Sequence, residues 1–318
     1  MAGNSTKVIM AAFLGNSAIA VTKFGASLYT GSSAMLSEAI HSVVDSGNQL
    51  LILFGYKRAT RPATAQHPFG YGKEVYFWSF VVAVLLFSLG GGAAIYEGID
   101  KIRHPHAVES AWVNFTVLGM AIMFESGSFY VAWREFSKLR GDRPFMAAAR
   151  ACKEPGIFVV LFEDMAALAG LVIALVGLLL AEWLHLPWLD GAASVTIGLL
   201  LVGVAAFLAR ETKALLLGEA ASAEVREDIA RLALAHPAVQ RVNELRTMHM
   251  GPRDILLGLS VDMHDTLTGA DIEKAVDELE GAIRAAHPDI RRVFIETQDA
   301  ADSTADAWEE YATRHKDD

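Results

Sequence analysis

Eight ionisable residues lie in or beside long apolar stretches: Lys23, Glu38, His41, Asp45, Glu97, Glu125, Glu163 and Asp164, with Asn16 and Asn48 as neutral polar companions. An ionisable group at the centre of a membrane span costs about 3 kcal/mol on insertion scales, so such groups are usually paired or functional. The densest set is "SEAIHSVVD", residues 37–45. His41 and Asp45 are four apart, so on a helix they project from one face, one turn apart. Glu38 precedes His41 by three, near the outer end of that face. An imidazole and a carboxylate with no thiol nearby make a nitrogen–oxygen site suited to Zn²⁺ and its first-row neighbours. Two ligands do not close a tetrahedral site. Asp164, inside another apolar stretch, is the best-placed carboxylate to extend it. Glu163 beside it points about 100° away around a helix, as a ligand or as a helix-packing partner. Glu125 is a spare carboxylate, with a structural hydrogen bond as its simpler use. The plain alternatives are a helix-packing bond for His41 and Asp45, interfacial pairing for Lys23 and Glu97, and interhelical bonding for Asn16 and Asn48.

The elements that must position these groups follow from hydropathy. A bilayer core takes about 20 mostly apolar residues in a helix, and six stretches qualify: 7–29, 34–56, 75–99, 112–133, 157–180 and 188–209. "YTGSS", "RPATAQHPFGYGK", "RHPHAVES", "KLRGDRP" and "HLPWLD" separate them. The second-to-third connection holds Lys57, Arg58, Arg61 and Lys73, and the fourth-to-fifth holds Arg134, Lys138, Arg140, Arg143, Arg150 and Lys153. The first-to-second and fifth-to-sixth connections hold no Lys or Arg. The positive-inside rule then puts both termini in the cytoplasm, as six spans require. Trp112, Trp183 and Trp188 fall at the opposite interface. No cleavable signal peptide is expected, so the first helix stays as a span.

Residues 211–318 read as a small α+β domain. "AEVREDIARLALAHP" has helical spacing, "VNELRTMHM" and "ILLGLSVDM" are strands across a Gly-Pro turn, Thr268 caps a helix, and "RRVFIET" closes the order α-β-β-α-β. His249 and His264 are expected on its surface. The expected division is 1–210 as a six-helix transmembrane domain, 211–300 as a cytoplasmic domain, and 301–318 as a flexible acidic tail. Residues 1–210 carry a net charge of +1 and residues 211–318 a net of −11, out of −10 for the chain. That acidity argues against a nucleic-acid partner and for cations or a solvated surface. No GxxxxGK[ST] loop occurs, so no nucleotide is expected. The single Cys152 excludes an intrachain disulfide.

"TGSSAMLSEAIHSVVDSGNQ" followed by "HPFGYGKEVYFWS" resembles the cation diffusion facilitator family, the zinc-transporter superfamily. The resemblance extends to "WLDGAASVTIGLLLVGVAAFLARETKALLLGE" and "HPAVQRVNELRTMHMGP", covering nearly the whole chain in order. It implies a six-span domain, a cytoplasmic ferredoxin-like domain, a homodimer, and export of divalent metal in exchange for protons. The family's transport site matches His41 and Asp45 on the second span and Asp164 on the fifth, but its fifth-span histidine falls on Val160. A fourth ligand must come from Glu163, water or another span. "LFEDMAALAG" resembles the mitochondrial-type zinc-transporter sub-branch. His67 matches a loop ligand whose partner positions hold Thr64 and Tyr71, and bridging positions in the tail hold Asn243, Glu296 and Gln298.

The expected metal ligands are therefore His41, Asp45, Asp164 and Glu163, with Glu38, Asn48, Glu125, His67 and Asn16 as accessory or supporting groups. The expected activity is efflux of Zn²⁺, with Mn²⁺, Co²⁺ and Fe²⁺ open, by alternating access in a homodimer of a bacterial inner membrane. Ligands must shed protons to bind metal, so loading and unloading exchange the two. The rivals are a membrane-embedded metalloenzyme, for which no HExxH motif occurs, and a non-transporting metal sensor or scaffold.

Overall fold

The computed structural model describes residues 2–30, 33–105 and 111–299; within these, some side chains near 2–4, 27–41 and 111–114 are outside the description, among them Glu38 and His41. The expected tail, 301–318, also lies outside the described residues. The chain divides into two units, residues 1–216 and 217–318.

The first unit is helical: α1 (Ala2–Thr30), α2 (Ser33–Ala59), α3 (Glu74–Leu85), α4 (Ala93–Arg103), α5 (Ala111–Arg140), α6 (Phe145–Ala151), α7 (Pro155–Leu184) and α8 (Trp188–Leu217). Five stretches are long and apolar enough to cross a membrane: Ser5–Ala26, Glu74–Arg103, Phe115–Arg140, Pro155–Leu184 and Trp188–Leu217. Among the described residues α2 is not one of them, although it runs 27 residues. The reason is its content of Ser42, Asp45, Ser46, Asn48, Gln49, Lys57 and Arg58. Such a helix is stable in an apolar setting only when neighbours enclose its polar face. The helices run past the expected ends. α5 continues to Arg140 because Phe136 is fully buried and Glu135 pairs with Lys138 across one turn. The short α6 was not foreseen.

Between α3 and α4 the helix widens into a π-type turn, Leu86–Gly92, where "SLGGG" puts three glycines in a row. The glycines let this helix approach α8 closely. A Cβ at Gly91 would sit 2.7 Å from Val202 Cγ2, and one at Gly98 would sit 2.7 Å from the Gly191 carbonyl. Lys101 bridges the same two helices to Glu97 (3.2 Å) and Asp190 (3.1 Å). Glu97 thus has a partner within the protein.

The second unit comprises α9 (Ala223–Leu234), β1 (Val239–Gly251), β2 (Asp254–Met263), α10 (Gly269–Ala286) and β3 (Ile290–Thr297). The sheet order is β1-β2-β3, with β1–β2 antiparallel and β2–β3 parallel. In β2 the residues Ile255, Leu257, Leu259, Val261 and Met263 alternate onto one face, and all are buried with Ile229, Leu279 and Ile283 of the helices. Each such side chain contributes about 1.5–3 kcal/mol of burial. Thr268 caps α10 as the sequence indicates: its hydroxyl accepts from the Asp271 N–H, and the Asp271 carboxylate accepts from the Thr268 N–H. The Thr268 hydroxyl, 2.6 Å from Asp271 Oδ2, and then the Thr268 N–H hold the Asp271 carboxyl below the usual range. His264 is exposed, but His249 is buried, contrary to the surface position expected of it. The segment after Gly218 runs beside β1, its Glu219 carbonyl accepting from the His249 N–H and its Ala221 N–H donating to Thr247. Local alternation in β1 gives no sign of that cover.

Candidate metal centre

In α2 the polar residues recur at i, i+3 and i+4. Asp45, Asn48 and Gln49 therefore form one stripe, which the apolar Ile52 continues. Asn48, Gln49 and Ile52 are buried, while Asp45 is half-buried. In α5 the same spacing joins Glu125 to Ser128, and both are buried. On α7 Glu163 and Asp164 sit next to each other, 5% and 1% exposed. The three stripes meet inside the helical unit.

The 100° step between Glu163 and Asp164 sends them to different neighbours. Glu163 turns to α2, where Asn48 Nδ2 donates to Oε1 and Gln49 Nε2 to Oε2, each at 3.0 Å. Asp164 turns to α5, where the Ser128 hydroxyl donates to Oδ2 at 2.7 Å. That bond occupies one carboxylate oxygen. Asp45 lies close enough for its charge to act on Glu163, Asp164 and Glu125, and Glu125 also feels the Lys23 ammonium. Glu125 Oε2 and the side-chain oxygens of Asn48 and Gln49 are buried without a hydrogen-bond partner. These orphaned oxygens are acceptors, the atoms that hard and borderline cations seek. Asn16 and Lys23 of α1 are buried as well.

The expected groups are thus distributed unevenly. Asp45, Asn48, Glu125, Glu163 and Asp164 come together across α2, α5 and α7. Glu38 and His41 lie outside the described side chains, although α2 runs through both positions. Among the described residues no three His, Cys, Asp or Glu side chains converge closely enough to hold one ion. Val160 is fully buried in the apolar core. His67 is elsewhere, exposed on the α2–α3 connection with its ring 4.6 Å from that of Tyr71, while Thr64 Oγ1 lies 3.3 Å from Tyr71 Oη. The three loop positions are adjacent, with one imidazole among them. In the second unit Asn243 donates to the Gln298 carbonyl at 2.8 Å and Glu296 is exposed.

Sequence reasoning missed Gln49 and Ser128. Both were reachable, Gln49 by stepping four residues from Asp45 and Ser128 by stepping three from Glu125. Glu163, for which the sequence offers ligation or helix packing, accepts from two amides in this arrangement.

Comparison with known proteins adds to this geometry. Residues 9–217 match the family described as "Cation efflux transmembrane domain", and residues 221–299 match "Cation efflux protein, cytoplasmic domain". The chain is 30% identical over 258 residues to the mitochondrial proton-coupled zinc antiporter SLC30A9 of Homo sapiens, covering 80% of this chain and 45% of that protein. It is 27% identical to metal tolerance protein C4 of Arabidopsis thaliana, over 82% of this chain and 58% of the relative. It is 27% identical to the magnetosome protein MamM of Magnetospirillum gryphiswaldense, over 92% and 83% respectively. The chain spans about half the length of the mitochondrial relatives it matches.

Proposed function

The chain belongs to the cation efflux, or cation diffusion facilitator, family, and from that premise we propose that it is a proton-coupled exporter of a divalent metal ion. It is a transporter, not an enzyme. The observation that carries the reading is the layer of Asp45, Glu125, Glu163 and Asp164 carboxylates enclosed by apolar helices. Buried charge of one sign calls for a counter-charge. A divalent ion supplies it in one state and protons supply it in the other.

In this reading α2 is the sixth span, tolerated because α1, α5 and α7 enclose its polar stripe. His41, Asp45 and Asp164 are the ligands, and Glu163 becomes the fourth when it exchanges Asn48 and Gln49 for the metal. Ser128 orients Asp164; Glu38, Asn16 and Glu125 support the layer, and His67 stays accessory. Zn²⁺ is the primary substrate because an imidazole with carboxylates is a borderline donor set; the zinc antiporter among the relatives supports that choice. Mn²⁺, Co²⁺ and Fe²⁺ are the competitors an oxygen-rich fourth ligand would admit. Basic connections around Arg58 and Arg140 put both termini in the cytoplasm, in a bacterial inner membrane. The α-β-β-α-β order supports a ferredoxin-like second unit, which we assign to homodimerisation.

Proteoliposomes loaded with Zn²⁺, Mn²⁺, Co²⁺ or Fe²⁺, with and without a pH gradient, test the reading. Flux should follow the gradient and vanish in Asp45→Asn and Asp164→Asn. Flux indifferent to the gradient sinks the proton coupling, and wild-type flux retained in both variants sinks the site.

A further inference from the structure

Ten successive residues of α7, Pro155 to Asp164, are buried, whereas beyond Asp164 partly exposed positions return. A helix at the edge of a bundle leaves one face uncovered. This stretch leaves none. Phe158 and Val160 share a core with Ile9 of α1, Ile52 of α2 and Phe136 of α5, all at most 1% exposed.

A polar knot closes the end of that plug. Glu154, the residue before α7, accepts on one oxygen, Oε2, from the Ser5 hydroxyl of α1 at 3.1 Å and from the Tyr56 hydroxyl of α2 at 3.2 Å. The Gly156 N–H donates to the Tyr56 oxygen at 3.3 Å. A Cβ on Gly156 would lie 2.8 Å from that oxygen, so glycine is what admits the ring. The start of α1, the end of α2 and the start of α7 are thus tied through one carboxylate. Glu154 precedes Glu163 by nine residues, about 13 Å along a helix. The basic connections leave the bundle at this same end.

We propose that Ser5, Tyr56 and Glu154 form a latch that holds this end shut, and that Tyr56 must release Glu154 before an ion passes from this side to Asp164. The proposal rests on the transport reading for its purpose, but not for its test. The chain carries its own reporter. Cys152 is its single cysteine, buried beside the latch with its thiol donating to the Glu154 carbonyl at 3.8 Å. Burial also pushes that thiol up to about 11, so the closed protein should alkylate slowly.

The experiment follows maleimide labelling of the full-length protein in lipid nanodiscs. In Tyr56→Phe the latch loses a hydrogen bond to a charged group, so Cys152 should label about tenfold faster. A Val160→Cys probe in a Cys152→Ser background reads the plug itself and should accelerate with Tyr56→Phe by a similar factor. Ser5→Ala, which deletes one hydroxyl at the other side of the knot, should act in the same direction and carries the test if Tyr56→Phe does not elute as folded protein. Unchanged Cys152 labelling overturns the latch. So does faster Cys152 labelling with an unchanged Val160 probe, because that is local loosening. Absent metal flux with responsive labelling removes the transport reading and leaves the latch; flux with unresponsive labelling does the reverse.

Discussion

Ser128→Ala isolates the support of a single proposed ligand. The substitution deletes one oxygen, the donor 2.7 Å from Asp164 Oδ2, in a place where Ser128 is 6% and Asp164 1% exposed. Water therefore has little access with which to replace the bond. A hydrogen bond to a charged group is worth about 1.5–3 kcal/mol, and loss of a ligand's supporting partner lowers metal affinity by about 10–100-fold. The two figures agree, since each tenfold is about 1.4 kcal/mol. The opposing effect is smaller: alanine favours the helix over serine by at most about 0.5 kcal/mol, too little to mask a loss of that size. No new volume is added, so α5 and α7 keep their packing. Zn²⁺ titration of the purified protein should show a dissociation constant at least tenfold higher, while Ser128→Thr, which keeps the hydroxyl, should stay within about threefold of wild type. An unchanged constant in Ser128→Ala refutes the reasoning, because Asp164 then needs no fixed orientation to take part in binding. A loss of equal size in Ser128→Thr refutes it in another way, by showing that shape rather than the hydroxyl matters.

Glu163→Gln keeps the size of the side chain while removing its charge and one of its two amide contacts; Zn²⁺ affinity should fall at least about tenfold, and an unchanged titration takes Glu163 off the ligand set. Gly98→Ala forces a Cβ to 2.7 Å from the Gly191 carbonyl and should cost about 1–3 kcal/mol, seen as a lower midpoint of thermal unfolding. Gly127→Ala on α5, where a Cβ meets nothing within 4 Å, should instead stabilise by about 0.5–1 kcal/mol; equal behaviour of the two variants would remove the close α4–α8 approach. The capping box at Thr268 sets a pH dependence. Asp271 is held below its unfolded range by Thr268, so its contribution is present above the unfolded carboxylate pKa and is lost as pH falls through the lower folded value. Asp271→Asn should flatten that acid limb in circular-dichroism melts of the full chain, and an identical limb in both proteins counts against the box.

What the sequence made legible was what local periodicity encodes. The alternation of Ile255, Leu257, Leu259 and Val261 marks a half-buried strand by itself, and Thr268 marks a helix start by chemistry confined to three residues. The apolar runs of α7 and α8 need only length and composition. The pairing of Glu163 with two amides is different in kind. It depends on which helix stands across from α7, 115 positions away in the case of Asn48, and no window over "LFED" contains that. His249 fails for the same reason, since its cover comes from residues around Glu219. The latch was invisible too: Ser5, Tyr56 and Glu154 are each unremarkable in their own segments and acquire a role only when three helix ends coincide.

The carboxylate layer also explains why so polar a helix as α2 persists among apolar ones. Four carboxylates, from Asp45, Glu125, Glu163 and Asp164, face one buried ammonium, Lys23, among the described residues. The donors that meet Glu163 and Asp164, the amides of Asn48 and Gln49 and the hydroxyl of Ser128, are neutral. Neutral donors satisfy lone pairs but do not cancel charge, and uncancelled charge of one sign in a low-dielectric interior is costly. In the proposed transport reading, mobile cations meet the charge that such neutral donors leave. In that reading a divalent metal would bring two charges to one point. Protons meet the charge one carboxylate at a time and need no convergent geometry. Both draw on the same negative charge, so neither can occupy the layer fully while the other does. That exclusion is the thermodynamic requirement for exchange: a layer built with permanent counter-ions, for instance a lysine or arginine in place of Ser128, would lose its demand for either cation and should bind no metal.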